Sequence, residues 1–380
     1  MPASCLRCGR PTEIDTSALC AGCNARLRGL LLARSGARRS AAAARASPPP
    51  RPPRRSTRLT AGLACSLLVV GLGLELAVPG LLPAPDPAPT RPTGTWQIIA
   101  GERGDSVHFF SPLGMAADRD GNLYVVDAGN HQVLKIAPDG RSLAIWGGRG
   151  SGPGEFERPS AISLDGAGNI YVADTANNRV QKLSPSGRPL AEWGASGVQP
   201  GQFSAPRGIT VDPLGNILVS DTGNERIQKL SSTGQLLAVW GGEGTGPGQF
   251  RQPWGLTTDD QGNVYVADHW NNRVQKFSPN GRPLAQWGAF GTGPGQFNNP
   301  RDLALDSRGT IYVSDSFNHR VQQLSADGVP LAEWGARGGS IGEFRRPEGL
   351  VVDDHGGLFV VDADNGRLQH FVPDAPWARR

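Results

Sequence analysis

The stretch Phe250–Gly288, FRQPWGLTTDDQGNVYVADHWNNRVQKFSPNGRPLAQWG, decides the fold. It holds four short apolar runs, GLTTD, NVYVAD, RVQKFS and PLAQWG, separated by the turn-forming segments DDQGN, DHWNN and SPNG. Runs of this length, rich in Val, Tyr and Leu and split by Gly, Asn and Pro, are antiparallel strands. The pattern returns at a fixed interval of 47 residues. The opening Phe recurs at Phe109, Phe156, Phe203, Phe250, Phe297 and Phe344. The Asp closing the second run recurs at Asp127, Asp174, Asp221, Asp268, Asp315 and Asp362, and a Trp at Trp146, Trp193, Trp240, Trp287 and Trp334. Six copies without insertion or deletion are a repeat architecture. Four strands per copy in a radial array make an all-β, six-bladed β-propeller, which hides its edges by closing on itself.

Closure is also readable. The sixth copy stops at Val372-Pro373 without a Trp-Gly strand, while TWQIIAG (95–101) precedes the first copy with no strands of its own. Counting 47 back from Trp146 reaches Ile99, so 95–101 is expected to supply the outer strand of the last blade. The propeller is thereby assigned to 95–376.

Charge divides the chain. Residues 1–58 hold twelve Arg, no Lys and two acids, a net of +10, and the remainder carries a net of −6. A mildly acidic repeat body lacks the basic face of a general nucleic-acid binder, so no nucleic acid is expected there. All five cysteines fall in the first 65 residues, so no disulfide framework supports the propeller.

Residues 1–30 carry two Cys-x-x-Cys knuckles, Cys5/Cys8 and Cys20/Cys23. Four thiolates at this spacing can converge on one tetrahedral, structural Zn²⁺, and the segment resembles a minimal four-cysteine zinc ribbon; disulfides or a redox pair are the alternatives. Residues 31–58 form a basic, Pro/Ala-rich linker whose Arg cluster also suits anionic lipid heads. Residues 59–82 are apolar except for Glu75, long enough for one transmembrane helix. The preceding Arg cluster places the N-terminus in the cytoplasm and the propeller outside it, as an uncleaved signal anchor; a cleaved signal peptide is disfavoured by so long a basic lead. Residues 83–94 read as a Pro-rich stalk.

The recurrent P-x-G-L-x-x-D-x-x-G-N-L-Y-V-x-D-x-x-N-x-R-V-Q-K-L resembles the NHL repeat, and the fifth copy keeps the triplet Asn318-His319-Arg320. Departures are Gln132 in place of Arg, Asp302 and Ala161 in place of Gly, and Gly357 in place of Asn. The resemblance implies a binding platform whose relatives use the propeller face for proteins, RNA or ligands; a few such propellers are metal-dependent lyases.

A repeat supplies its own control, because residues present in every copy are scaffold and function sits where copies differ. The paired acids of each blade, such as Asp259 and Asp268, are expected to cap turns and strand ends. Arg179, Arg226, Arg273, Arg320 and Arg367 are expected to fix loops. Two variable positions face the channel mouth. One follows the Pro after the opening Phe (Leu113, Ser160, Arg207, Trp254, Arg301, Glu348); the other is the pair after the strand-ending Asp. Blades one and two are small there, whereas blades three to six offer Arg207, Trp254, His269, Trp270, Arg301, Phe317, Glu348 and Asp364. Aromatics and Arg at exposed loop positions make a recognition hot spot; the alternative is that Trp254 and Phe317 fill the channel.

The six His are scattered over the repeat, only His131 and His319 falling at one shared position, that of the triplet, so they do not share the register of a metal site, and no nucleophile motif or phosphate loop is present. The expectation is therefore a non-enzymatic, membrane-anchored protein binding a protein, peptide or glycan through the propeller face. The alternatives are a propeller lyase or lactonase, or a cytoplasmic protein binding RNA or acting in ubiquitin-ligase-like assemblies.

Overall fold

The computed structural model describes residues 91–101 and 107–375. The zinc-ribbon segment 1–30, the linker 31–58, the apolar segment 59–82 and most of the stalk lie outside the described residues. Among the described residues no helix is long and apolar enough to cross a membrane.

Six four-stranded antiparallel sheets succeed one another along the chain. In the fourth blade the strands are Pro253–Thr258, Val264–Asp268, Arg273–Phe277 and Pro283–Trp287, joined in sequence order. The last blade is composite: Gly94–Ala100 pairs antiparallel with Arg367–Pro373, outside Leu358–Asp362 and Pro347–Val352. The closing strand thus begins one residue before the expected 95. Leu368 stands where the other blades pair with their Trp, but its partner is Ala100, because a register shift between Ile98 and Ala100 inserts one residue. Trp96 supplies the aromatic mass instead, with its ring 5.2 Å from Phe344 and 5.3 Å from Phe371.

Each blade is built from the same local chemistry. The second strand is buried at all five positions in every blade, which explains its continuous apolar run. The fourth strand alternates, as in Ser142–Gly147, because only one face packs. Between the first two strands of blade four, Asp259 Oδ1 accepts from the backbone N–H of Gln261 and Asn263, while Gly262 takes the positive φ the turn requires. The opening Phe of each copy locks neighbouring blades. Phe156 is fully buried, and Gly147, at φ 102°, leaves room for its ring: a Cβ there would meet Phe156 Cδ2 at 2.5 Å. Hydrophobic clusters consequently run from blade to blade, as in Tyr124, Val133, Phe156, Ile170 and Leu183.

Candidate functional site

The invariant polar residues form one hub per blade. In blade four, fully buried Asp268 accepts from Arg273 Nε (2.7 Å), Gln275 Nε2 (3.0 Å), Asn271 Nδ2 (2.9 Å) and the Arg251 backbone N–H (2.8 Å). Arg273 extends to the carbonyls of Thr245, Gly246 and Gln249, tying the incoming loop to the blade. Burial raises the Asp268 carboxyl above its ordinary value despite these donors. Blade one carries Gln132 in place of the Arg, so Asp127 is held by neutral donors, and burial raises it too. The acids and arginines common to the copies are spent on loop geometry.

At the channel mouth the copies diverge. A short 3-10 turn after the strand-ending Asp places its first residue against the next blade. There Thr175 and Thr222 donate to the carbonyls of Pro206 (2.8 Å) and Pro253 (2.6 Å), His269 Nδ1 to Pro300 (3.2 Å), and Ser316 to Pro347. These are clamps across the seams between blades. The equivalent residues of blades one and six are Ala128 and Ala363, which carry no donor.

Five predicted site residues meet in a plug over the channel. Trp254 lies under three side chains: the Arg301 guanidinium 4.0 Å and the Arg207 guanidinium 4.5 Å from its ring, and the His269 ring stacked at 4.7 Å. Arg301 Nη1 donates to Glu348 at 2.6 Å, and Arg346 Nη2 reaches Asp364 at 2.8 Å. Arg346 Nε is 3.2 Å from Glu348 Oε1, close enough for an ion pair but misaligned for a hydrogen bond. His269 is neutral: burial, then the Arg301 charge, lower it to about 3, and its Nε2 faces Asn299 Nδ2 at 3.1 Å. Burial raises Glu348 above the ordinary carboxylate range. Below the plug, Asp302 replaces the small residue of the other copies. Burial brings it up to about 7, although Oδ2 accepts from the Leu350 backbone N–H at 3.0 Å. The space left in the plug is only 30 Å³, with a 210 Å³ cavity beneath it along the channel.

Trp254 therefore fills the channel, as one of the two sequence readings has it, whereas Phe317 does not. Trp270 and Phe317 are 56% and 47% exposed, and Asp364 stands at the rim. His269 and Glu348 are buried and presented to other residues of the ring.

The open space lies on the other half of the mouth. A depression of 860 Å³ is lined by Phe109, Phe110, Leu113, Ala128, Ala176 and Ala363 together with Arg158, Arg207 and Asp364. It forms where blades one and two carry small residues, which sequence reasoning passed over as featureless. Phe110 and Arg158, which lie outside the two variable positions, were missed as well. Phe110 stands where the other copies have Glu157, Ser204, Arg251, Asn298 and Arg345, and it is 66% exposed. Comparing copies at the position after the opening Phe would have found it. Among the described residues no three His, Cys, Asp or Glu side chains gather at metal-binding spacing.

The NHL repeat family matches residues 109–136, 156–183, 203–230, 250–277, 297–324 and 344–371, one match per blade. No curated protein matches the chain by sequence. Solved structures with this fold include a streptogramin B lyase at 15% identity, covering 73% of this chain and 97% of the other with a TM-score of 0.53. A catalytically inactive virginiamycin B lyase from Staphylococcus aureus with quinupristin is 14% identical, covering 74% and 99%, with a TM-score of 0.53. A gluconolactonase from Xanthomonas campestris is 14% identical, covering 76% and 95%, with a TM-score of 0.54. Likeness at this level shows the fold alone. It does correct the expectation of a non-enzyme: propellers of this architecture include a lyase and a gluconolactonase, so missing nucleophile motifs do not separate this chain from enzymes.

Proposed function

We propose that this six-repeat NHL propeller is the binding domain of a membrane-anchored protein, and that it takes a protein, peptide or glycan in the depression flanked by blades six, one, two and three. The observation carrying this reading is the 860 Å³ concavity itself, formed by loops on a rigid scaffold and lined in part by apolar side chains. The sequence of 59–82 supports the anchor, and Cys5, Cys8, Cys20 and Cys23 support a structural Zn²⁺ on its cytoplasmic side, with the propeller extracytoplasmic.

Ala176 is the natural place to test the depression. It is exposed, lines the concavity, and makes the same turn bond as Trp270: Ala176 N–H to Glu157 O and Trp270 N–H to Arg251 O, each 3.0 Å. Ala176→Trp thus inserts a ring that blade four already tolerates. Peptide and glycan arrays are to be probed with the detergent-solubilised full chain and with this variant. Selective binding by the parent and its loss in Ala176→Trp are expected; the same array pattern from both would remove the depression as the site. For the anchor, digestion of the propeller by protease added to intact cells, or after selective opening of an outer membrane, is expected. Protection even then would reverse the topology.

A further inference from the structure

The two halves of the mouth treat arginine differently. In the filled half, Arg301 and Arg346 share Glu348, and Arg346 also holds Asp364. In the open half, Arg158 and Arg207 have no ion pair and no side-chain hydrogen bond to protein among the described residues. Arg207 is half-buried, and its guanidinium is braced over the Trp254 ring, 4.5 Å from the centroid. Arg158 is anchored through its backbone N–H, which donates to His131 Nδ1 at 3.0 Å, leaving its side chain exposed at the depression. Asp364, the acid of the lining, is already engaged by Arg346. Two guanidinium groups with no ion pair of their own, beside the apolar side chains of Phe110 and Leu113, call for an anion carried on an apolar body.

We propose that the depression recognises a free carboxylate attached to an apolar group, the chemistry of a peptide C-terminus ending in a hydrophobic residue, with Arg158 and Arg207 holding the carboxylate and Phe110 and Leu113 contacting the side chain. This rests on the depression being the binding site. The planar fork of Arg matches a carboxylate through paired N–H donors, and pre-bracing on Trp254 lowers the cost of ordering it.

The test is calorimetric titration of the full chain in detergent with acetyl-Ala-Ala-Phe, as the free acid and as the C-terminal amide. The acid is expected to bind about 10- to 100-fold more tightly, the usual range for charge-assisted hydrogen bonds. Arg158→Gln and Arg207→Gln are each expected to erase most of that preference. The first reproduces Gln252, which occupies the same positive-φ position in blade four, so its fold is secure. Arg141→Gln, at an exposed turn where Arg141 pairs with Asp139, serves as the control and is expected to change nothing. Equal binding of acid and amide that Ala176→Trp abolishes would overturn the carboxylate assignment while leaving the depression as the site. Binding that Ala176→Trp leaves unchanged would overturn the site itself, and no binding of either peptide would overturn the ligand class.

Discussion

One face of the propeller contains both a lock and a vacancy, built on the same repeat. In blades four to six, the residues over the channel are Trp254, Arg301 and Glu348, which stack and pair on one another, although Trp254 Nε1 and Arg301 Nε are buried without a hydrogen-bond partner. In blades one and two they are Leu113 and Ser160, and Ser160 turns its hydroxyl to the carbonyl of Arg207 at 2.9 Å. The lesson is that large, polar and aromatic residues in a concave ring face each other before they face a ligand. Small residues at the same positions leave the concavity. The clamps divide the ring differently, with donors in blades two to five at Thr175, Thr222, His269 and Ser316 but alanine in blades one and six at 128 and 363.

The comparison breaks most directly at the lock. Glu348→Ala removes the buried anion that the half-buried Arg301 and Arg346 share, leaving Arg301 without an ion pair among the described residues, and should cost about 3–5 kcal/mol. Trp254→Ala should cost a similar amount, about 3–5 kcal/mol, by opening a cavity under both guanidinium groups. Leu113→Ala, its counterpart in the open half, should cost clearly less because Leu113 already borders the depression. Urea denaturation of the three variants measures this; equal costs would mean that the two halves are not energetically distinct.

The next effect is in pH. Asp302 titrates at about 7 in the fold against 3.8 ordinarily. Between those values the folded state holds a proton that the unfolded chain has released, so stability falls as pH rises through this window, by at most about 4 kcal/mol. His269 acts oppositely. Its folded value of about 3 lies below 6.5, so stability is lost as pH falls through that window. Because the two windows overlap and oppose each other, Asp302→Asn should make the pH slope of stability between 3.8 and about 7 more positive, leaving the His269 loss on acidification uncompensated. An identical pH slope in parent and variant would contradict the assignment.

The smallest effect sharpens the comparison from the other side. Ala128→Thr and Ala363→Ser restore the hydroxyls that clamp the other seams, and each should stabilise by about 1 kcal/mol. Thermal denaturation reads the gain; destabilisation by both would show that these seams are closed by different geometry.

The fold was legible because a strict period carries four kinds of information at once: strand length, turn chemistry, the Phe and Trp that join blades, and the absent last strand. The one-residue offset at the clasp was not, because a bulge at Ile99 leaves no trace in the spacing. At the site, variation among copies points to Arg207, Trp254 and Arg301, which the structure brings together, but their chemistry alone does not say whether they face outward or inward. Phe110 and Arg158 were not legible from the two variable positions, since they stand one and two residues after the opening Phe. The depression escaped because it is made by what is missing at Ala128 and Ala363.

The most direct measurement is a swap across the face: titration of acetyl-Ala-Ala-Phe against the full chain carrying Ala176→Trp, beside the chain carrying Trp270→Ala. The vacancy account predicts a loss of about tenfold or more with Ala176→Trp and no change with Trp270→Ala. Loss on trimming Trp270 together with tolerance of Ala176→Trp would contradict it, and would place recognition on the exposed aromatics of the filled half.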